Sequence, residues 1–256
     1  MFEGITSYER LISVGILGNY FENHVFSSLA LLGASFVGAF VLCCAVAYLI
    51  GSVNFGVLLS KKMYGADVRT QGSGNAGATN MLRSFGAKAG VLTLLGDAAK
   101  GYIAVMLARC LLGSACGYVA ALFAILGHAF PIYFHFKGGK GVAVSLGSVL
   151  ALNWVTAIML VIIFVLVAAT TKYVSLGSMT AAAFFPIITD RIKGFVIRGA
   201  GQMPMIAPFI AFLIGALIVW LHRSNLKRLF NKTEPKIELH KKHGKTDGGQ
   251  SEGEGE

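Results

Sequence analysis

Three short stretches of this chain combine residue types that bind anions. Residues 72–80 read Gly-Ser-Gly-Asn-Ala-Gly-Ala-Thr-Asn, with Arg83 one turn further on. A second patch runs Gly127-His128, Phe130-Pro131 and Phe136-Lys137-Gly138-Gly139-Lys140-Gly141. The third is His222-Arg223-Ser224-Asn225. Glycine removes side chains, so that backbone N–H groups can wrap an anion. Lys and Arg supply full charge, and Ser, Thr and Asn supply short hydrogen bonds. The first two loops lie next to expected helix starts near residues 87 and 142, ends that favour negative charge. Two such loops at one face fit two phosphates, or one molecule with several acidic groups.

Gly72, Gly74 and Gly77 also fit the spacing of a dinucleotide-binding loop. That chemistry needs a βαβ unit around the glycines, whereas apolar helical segments flank them here. A P-loop fails as well. No glycine stands five residues before Gly139, and Gly141 occupies the place of the magnesium-binding Ser or Thr. Asp97 and Lys100 form a further pair, three residues apart inside an apolar segment. Charges in hydrocarbon are costly and are paired or functional. Two readings stay open for this pair: a structural ion pair, or contact of Lys100 with a substrate.

The elements that must position these groups are membrane helices. Of the 256 residues, 55% are hydrophobic and 13% charged, against about 25% charged in a soluble domain. Seven apolar segments are expected, at 31–59, 87–112, 114–134, 142–152, 154–171, 173–189 and 204–221. The break at Asn153-Trp154 reflects the preference of an amide and an indole for the interface. Sixteen of the 22 Lys and Arg residues fall on the side holding both glycine-rich loops and the tail. Basic residues gather on the cytoplasmic side, so the expectation is an all-α polytopic membrane protein of seven transmembrane helices, N-terminus outside, C-terminus cytoplasmic. Its parts are an N-terminal extension over 1–28, expected to lie along the membrane surface, a membrane domain over 29–222 and a tail over 223–256 with a disordered end. No cleavable signal is read at the N-terminus. The net charge of +10 is a topology signal and requires no nucleic acid. Cys43, Cys44, Cys110 and Cys116 lack metal or redox spacing and are expected to be packing residues.

At these residues the chain resembles the bacterial acyl-phosphate:glycerol-3-phosphate acyltransferase family. The matching stretches are AYLIGSVNFG (47–56), GSGNAGATNMLR (72–83), DAAKG (97–101), GHAFPIYFHFKGGKGVA (127–143), YVSLGS (173–178) and HRSNLKRLFNKTEPK (222–236). They follow in family order over roughly residues 40 to 238. Asn54, Ser224, Leu226 and Asn231-Lys232 depart from the family pattern without removing an expected catalytic group. The resemblance implies an inner-membrane enzyme, with its site on the cytoplasmic side. It would move a fatty acyl group from acyl phosphate to the first hydroxyl of glycerol 3-phosphate and make lysophosphatidic acid. It further implies that Ser73, Arg83, Lys140, His222 and Asn225 line the pocket, with Ser178 beside them.

Acyl phosphate is a mixed anhydride whose phosphate leaves readily, so neither a metal, a cofactor nor an acyl-enzyme is required. The protein has to hold two anions together and manage one proton. On this reading Arg83 and Lys140 hold phosphate charge, aided by Ser73 and the 72–77 backbone, while Asn75, Thr79, Asn80 and Lys137 complete that shell. Lys100 is the further candidate contact. His222 and Asn225 share a helical face and orient the glycerol hydroxyl; His222 is either the base or a clamp while substrate phosphate takes the proton. His128 is expected to stabilise its loop and His135 to be a surface residue. Expected partners are the two substrates, membrane lipid and an upstream enzyme that makes acyl phosphate. Thioester-dependent acyltransferases carry His followed five residues later by Asp, but Tyr133 follows His128 and Lys227 follows His222. The rival class is a transporter of a phosphorylated solute, which predicts midplane polar sites and an internal repeat. Neither is read here.

Overall fold

The computed structural model describes residues 14–20, 29–192 and 205–236. Among them no strand occurs. The helices are α1 (residues 14–20), α2 (Leu29–Ser52), α3 (Phe55–Tyr64), α4 (Ala78–Phe85), α5 (Ala87–Ala129), α6 (Val142–Leu152), α7 (Trp154–Thr171), α8 (Val174–Ile192), α9 (Ala207–Leu221) and α10 (Arg223–Phe230). Single 3₁₀ turns occupy Val68–Thr70 and Ile132–Phe134.

Each of the seven apolar segments is helical, and the breaks between them have local causes. Gly113 sits at φ 82°, ψ −178° inside α5. This backbone conformation suits glycine, and it splits α5 into arms at the boundary expected between 112 and 114. Asn153 ends α6 and caps α7, its Oδ1 accepting the Thr156 N–H at 2.9 Å. The first expected segment, 31–59, is in fact two helices. α2 stops at Ser52, and Asn54 caps α3 by accepting the Val57 N–H at 3.2 Å. The stretch read as a polar loop up to residue 86 contains the end of α3 and all of α4. Short amphipathic helices of this kind carry too few apolar residues to show as membrane segments.

Three helical stretches are long and apolar enough to cross a bilayer: Ala34–Tyr64, Ala87–Phe134 and Trp154–Thr171. A fourth forms if α9 and α10, bent by 56° at His222, count as one. α5 is the central element, flanked by α2 and α6, while α8 joins α7 to α9. The core between them is small-residue packing, with Ala120, Ala121, Ala124, Val105 and Ile125 buried. Val37, Leu42, Ile162 and Leu166 point outward and are exposed, as lipid-facing side chains do when hydrocarbon replaces water outside. All four cysteines are free, and Cys44 and Cys116 are buried in the packing. In α1, Leu17 packs against this core and Gly15 abuts the backbone at Leu111. The other residues of the expected extension, and the end of the tail from 237, lie outside the described residues.

Close helix approach is clearest where α6 crosses α5. A Cβ on Gly147 would overlap the Ala98 carbonyl, so any side chain must push the helices apart. Gly147→Val is expected to cost about 2 kcal/mol of stability through overpacking. The check is thermal unfolding of the purified protein in detergent; a midpoint equal to the parent's would show that the crossing is loosely packed.

Candidate active site

The first glycine-rich loop is built around one amide. Asn80, buried on α4, donates from Nδ2 to the carbonyls of Val68 (3.1 Å), Gln71 (2.9 Å) and Asn75 (2.9 Å), and its Oδ1 accepts the Ser73 N–H at 2.9 Å. Asn75 Oδ1 accepts the Gly77 N–H at 2.9 Å, just before α4 begins. Ser60, on α3, accepts the Val68 N–H at 3.1 Å. Buried backbone groups need such partners, and here they fix a loop with no regular structure of its own.

The second loop is tied to the first by Arg69. Its Nη1 donates to the carbonyls of Phe134 (3.0 Å) and Lys137 (3.3 Å), and its guanidinium lies 5.9 Å from the Phe134 ring centre. Asp67 aims it, accepting from Nε at 3.0 Å and Nη2 at 2.7 Å. The Arg69 hydrogen bonds hold the Asp67 carboxyl well below the usual carboxylate range. His135 and Phe136 turn the loop with φ near 56° at each, and the His128 carbonyl accepts the Gly139 N–H at 3.1 Å.

The third patch closes over Lys140. His222 sits at the bend between α9 and α10, 3% exposed. Its Nδ1 lies 2.7 Å from the Ile218 carbonyl. A carbonyl only accepts, so Nδ1 carries the proton and the basic lone pair is left on Nε2. Asn225, one turn on, accepts a hydrogen bond from Lys140 Nζ through Oδ1 and donates from Nδ2 to Glu234 at 2.6 Å. Glu234 also accepts from Ser175 Oγ at 2.7 Å and from Arg228 Nε at 2.7 Å. Burial works against its charge, yet those three donors hold its carboxyl below the usual value. Lys140 is pushed down to about 8, chiefly by burial and then by the charges of Arg228 and Arg83, against the opposing pull of Glu234. Arg83 on α4 and Arg228 on α10, the latter paired with Glu234 at 2.7 Å, thus both act by charge on Lys140 of the second loop. Such mutual repulsion is relieved when an anion binds between them.

The structure therefore brings Lys140 and Asn225 into contact, one helical turn from His222. Arg83, Ser73, Thr79 and Lys137 are exposed. Asn75 and Asn80 differ from the expected shell: their side chains are engaged with loop backbone and shape the loop. Ser178 bonds its own helix, donating to the Val174 carbonyl at 2.9 Å. Lys100 is buried and ion-paired with Asp97 at 2.8 Å, the structural reading of that pair. His128 is buried, and His135 is exposed as expected. Arg69, Ser175 and Glu234 were not singled out by sequence. Glu234 had one signal: it is the only acid between residues 191 and 237. Among the described residues no cluster of His, Cys, Asp or Glu is arranged to hold a metal ion.

The glycerol-3-phosphate acyltransferase family model matches residues 41–232. The glycerol-3-phosphate acyltransferase of Clostridioides difficile (strain 630) is 42% identical over 205 residues, covering 78% of this chain and 96% of that protein. Its counterpart from Coxiella burnetii (strain CbuG_Q212) is 43% identical over 203 residues, 78% of this chain and all of the other. Two crystal structures of PlsY (YgiH), an integral membrane glycerol 3-phosphate acyltransferase, superpose on this fold. The glycerol 3-phosphate form has a TM-score of 0.70 at 35% identity, and the lysophosphatidic acid form 0.68 at 34%. Each alignment covers 78% of this chain and 96% of the solved one.

Glu234 lies just beyond the matched stretch, yet three donors converge on it. Glu234→Ala would leave the Ser175, Asn225 and Arg228 donors without their acceptor, at a cost of about 2 kcal/mol. Glu234→Gln, which keeps one acceptor, should recover part of it. Denaturation midpoints of both variants check this; a parent-like midpoint for the alanine variant would mean that the carboxylate holds nothing in place.

Proposed function

This chain belongs to the glycerol-3-phosphate acyltransferase family and transfers an acyl group to glycerol 3-phosphate; we propose that the donor is an acyl phosphate and the accepting atom the sn-1 oxygen, with lysophosphatidic acid and phosphate as products. The observation that carries this reading is the polar chain from Lys140 through Asn225 and Glu234 to Arg228, next to His222, with the Arg83 charge acting on Lys140. Both substrates bear a phosphate, so a site for them needs positive charge from more than one direction. In an acyl phosphate the second phosphate is bonded to the reacting carbonyl carbon, so its anion site has to lie beside the first, whereas the phosphates of a CoA thioester lie far from the carbonyl.

The step balances without further reagents. The glycerol oxygen forms a bond to the acyl carbonyl carbon, the bond from that carbon to the phosphate oxygen breaks, and phosphate leaves with the electron pair. His222 Nε2 accepts the hydroxyl hydrogen, because Nδ1 is committed to Ile218. Arg83 and Lys140 stabilise charge building on the leaving phosphate, and the exposed Ser73, Thr79 and Lys137 complete the shell. Asn225 steers Lys140, and Asn80 and Asn75 act through the loop they hold.

The membrane setting follows the same logic. The acyl chain reaches the site from the bilayer while glycerol 3-phosphate arrives from water, so the site belongs at a membrane face. The concentration of basic residues beside it supports a cytoplasmic face of the inner membrane. Seven crossings belong to this proposal, read as the two arms of α5 with α2, α6, α7, α8 and α9, with a membrane domain over 29–222, an extension over 1–28 before it and a tail over 223–256 after it. Because acyl phosphates hydrolyse readily, an upstream enzyme has to supply the donor to this one.

Turnover tests the assignment. Purified protein given palmitoyl phosphate and glycerol 3-phosphate should release phosphate and form lysophosphatidic acid. Arg83→Ala should lower kcat/KM by about 100-fold, the loss of one charged contact. Activity with palmitoyl-CoA alone would assign a thioester donor instead.

The pH dependence gives a second check. Lys140 is charged below about 8 and neutral above, so phosphate binding should weaken as pH rises through that value. The KM for palmitoyl phosphate should climb by up to about tenfold per unit above pH 8. In Lys140→Arg, where the charge persists, it should stay flat. A parallel rise in both proteins would place the titration elsewhere.

A further inference from the structure

Lys100 is 4% exposed, Asp97 1% and His128 2%, and the reaction just described uses none of them. An ammonium has three N–H groups, and three acceptors surround this one. They are the Asp97 carboxylate at 2.8 Å, His128 Nδ1 at 2.9 Å and the Val53 carbonyl, to which Nζ donates. The two non-acidic partners lead in different directions. Val53 lies in the break between α2 and α3, next to the Asn54 cap. In the first turn of α3, Gly56 lies so close to the Ala76 carbonyl that a Cβ would overlap it. Ala76 belongs to the first anion-binding loop. On the other side, His128 carries the second loop. Its carbonyl accepts the Gly139 N–H, and Cβ atoms on Gly138 and Gly139 would overlap that carbonyl and the imidazole.

We propose that Lys100 is a positioning residue that sets the spacing between the two phosphate-binding loops, through Val53 on one side and His128 on the other. This rests on the two-phosphate reading of the site. The exact separation matters because reacting groups must approach to near contact, and an error of about 1 Å costs on the order of 100-fold in rate. Arg69 ties the loops together at the surface; Lys100 does so from below. A buried ion pair adds little net stability compared with apolar residues of the same size, so its contribution here is register.

That distinction makes the role separable from folding. In Asp97→Asn/Lys100→Met both charges go and the volume stays, so the melting temperature should remain near the parent's. kcat/KM should nevertheless fall about 100-fold, with the KM values for glycerol 3-phosphate and palmitoyl phosphate both raised. A merely structural pair would lower the folded fraction and leave both KM values unchanged. Hydrogen exchange supplies a readout independent of turnover: peptides covering 66–80 and 134–142 should both lose protection while those of α6 and α7 do not. Parent-like KM values and loop protection in the double variant overturn the proposal. If that variant does not fold, His128→Gln leaves the ion pair whole and removes only the ring beneath Gly139. It should raise both KM values and deprotect 134–142 alone, and unchanged values there overturn the proposal equally. Absence of turnover in the parent protein would instead count against the two-phosphate reading, and the exchange data would still decide the role of Lys100.

Discussion

On the proposed acyl-phosphate chemistry two phosphates must sit beside each other, and they repel. Two unit charges 4 Å apart cost about 4 kcal/mol at an effective dielectric near 20, and each phosphate carries more than one. Much of the architecture answers this constraint. Positive charge comes from three elements distant in sequence: Arg83 on α4, Lys140 on the second loop and Arg228 on α10. Burial first, and then the charges of Arg228 and Arg83, make Lys140 hold its proton less tightly than an ordinary lysine. On that reading an anion bound beside Lys140 would offset the Arg228 and Arg83 charges that act on it.

Such an arrangement is useful only if the charges cannot drift apart, and the structure ties each down with neutral or acidic partners. Asn80 closes the first loop with four hydrogen bonds to backbone. Arg69 joins that loop to the second, and Glu234 fastens α10 and Asn225 to α8 through Ser175. Beneath them the Lys100 ammonium reaches both loop bases. Small residues in α2, α5 and α6 let the helices approach closely enough for these short polar groups to meet. The apolar exterior keeps the whole assembly in the membrane, beside its acyl donor.

Much of this was legible in the sequence, and the reasons differ by element. The all-helical, membrane-type character was readable because hydrocarbon imposes length and composition together, and three of the helical stretches, or four with the bent pair, are long and apolar enough to cross. The boundaries at Gly113 and Asn153 were readable because glycine and a capping amide leave local marks. The three polar patches were readable because charge and glycine seldom gather without cause. Helices α3 and α4 were not, since both are short and mix apolar with polar residues. Arg69 and Glu234 were not, because their value lies in partners far away in sequence: Arg69 reaches across to Phe134, and Glu234 to Ser175. Asn80 reads in sequence as a substrate contact, yet its side chain is bonded to loop backbone, since an amide beside glycines serves a ligand or a loop equally well until the backbone path is known.

The central claim is that acyl transfer is direct, with both anions held at once and no covalent acyl-enzyme. It is tested by mixing palmitoyl phosphate with a stoichiometric amount of the protein, first without and then with glycerol 3-phosphate, while following phosphate release and the intact mass of the chain. Direct transfer predicts no phosphate burst and no mass increase until the acceptor is added, followed by phosphate and lysophosphatidic acid in equal amounts. A burst of one phosphate per enzyme without acceptor, with a palmitoyl adduct on the protein, would contradict it.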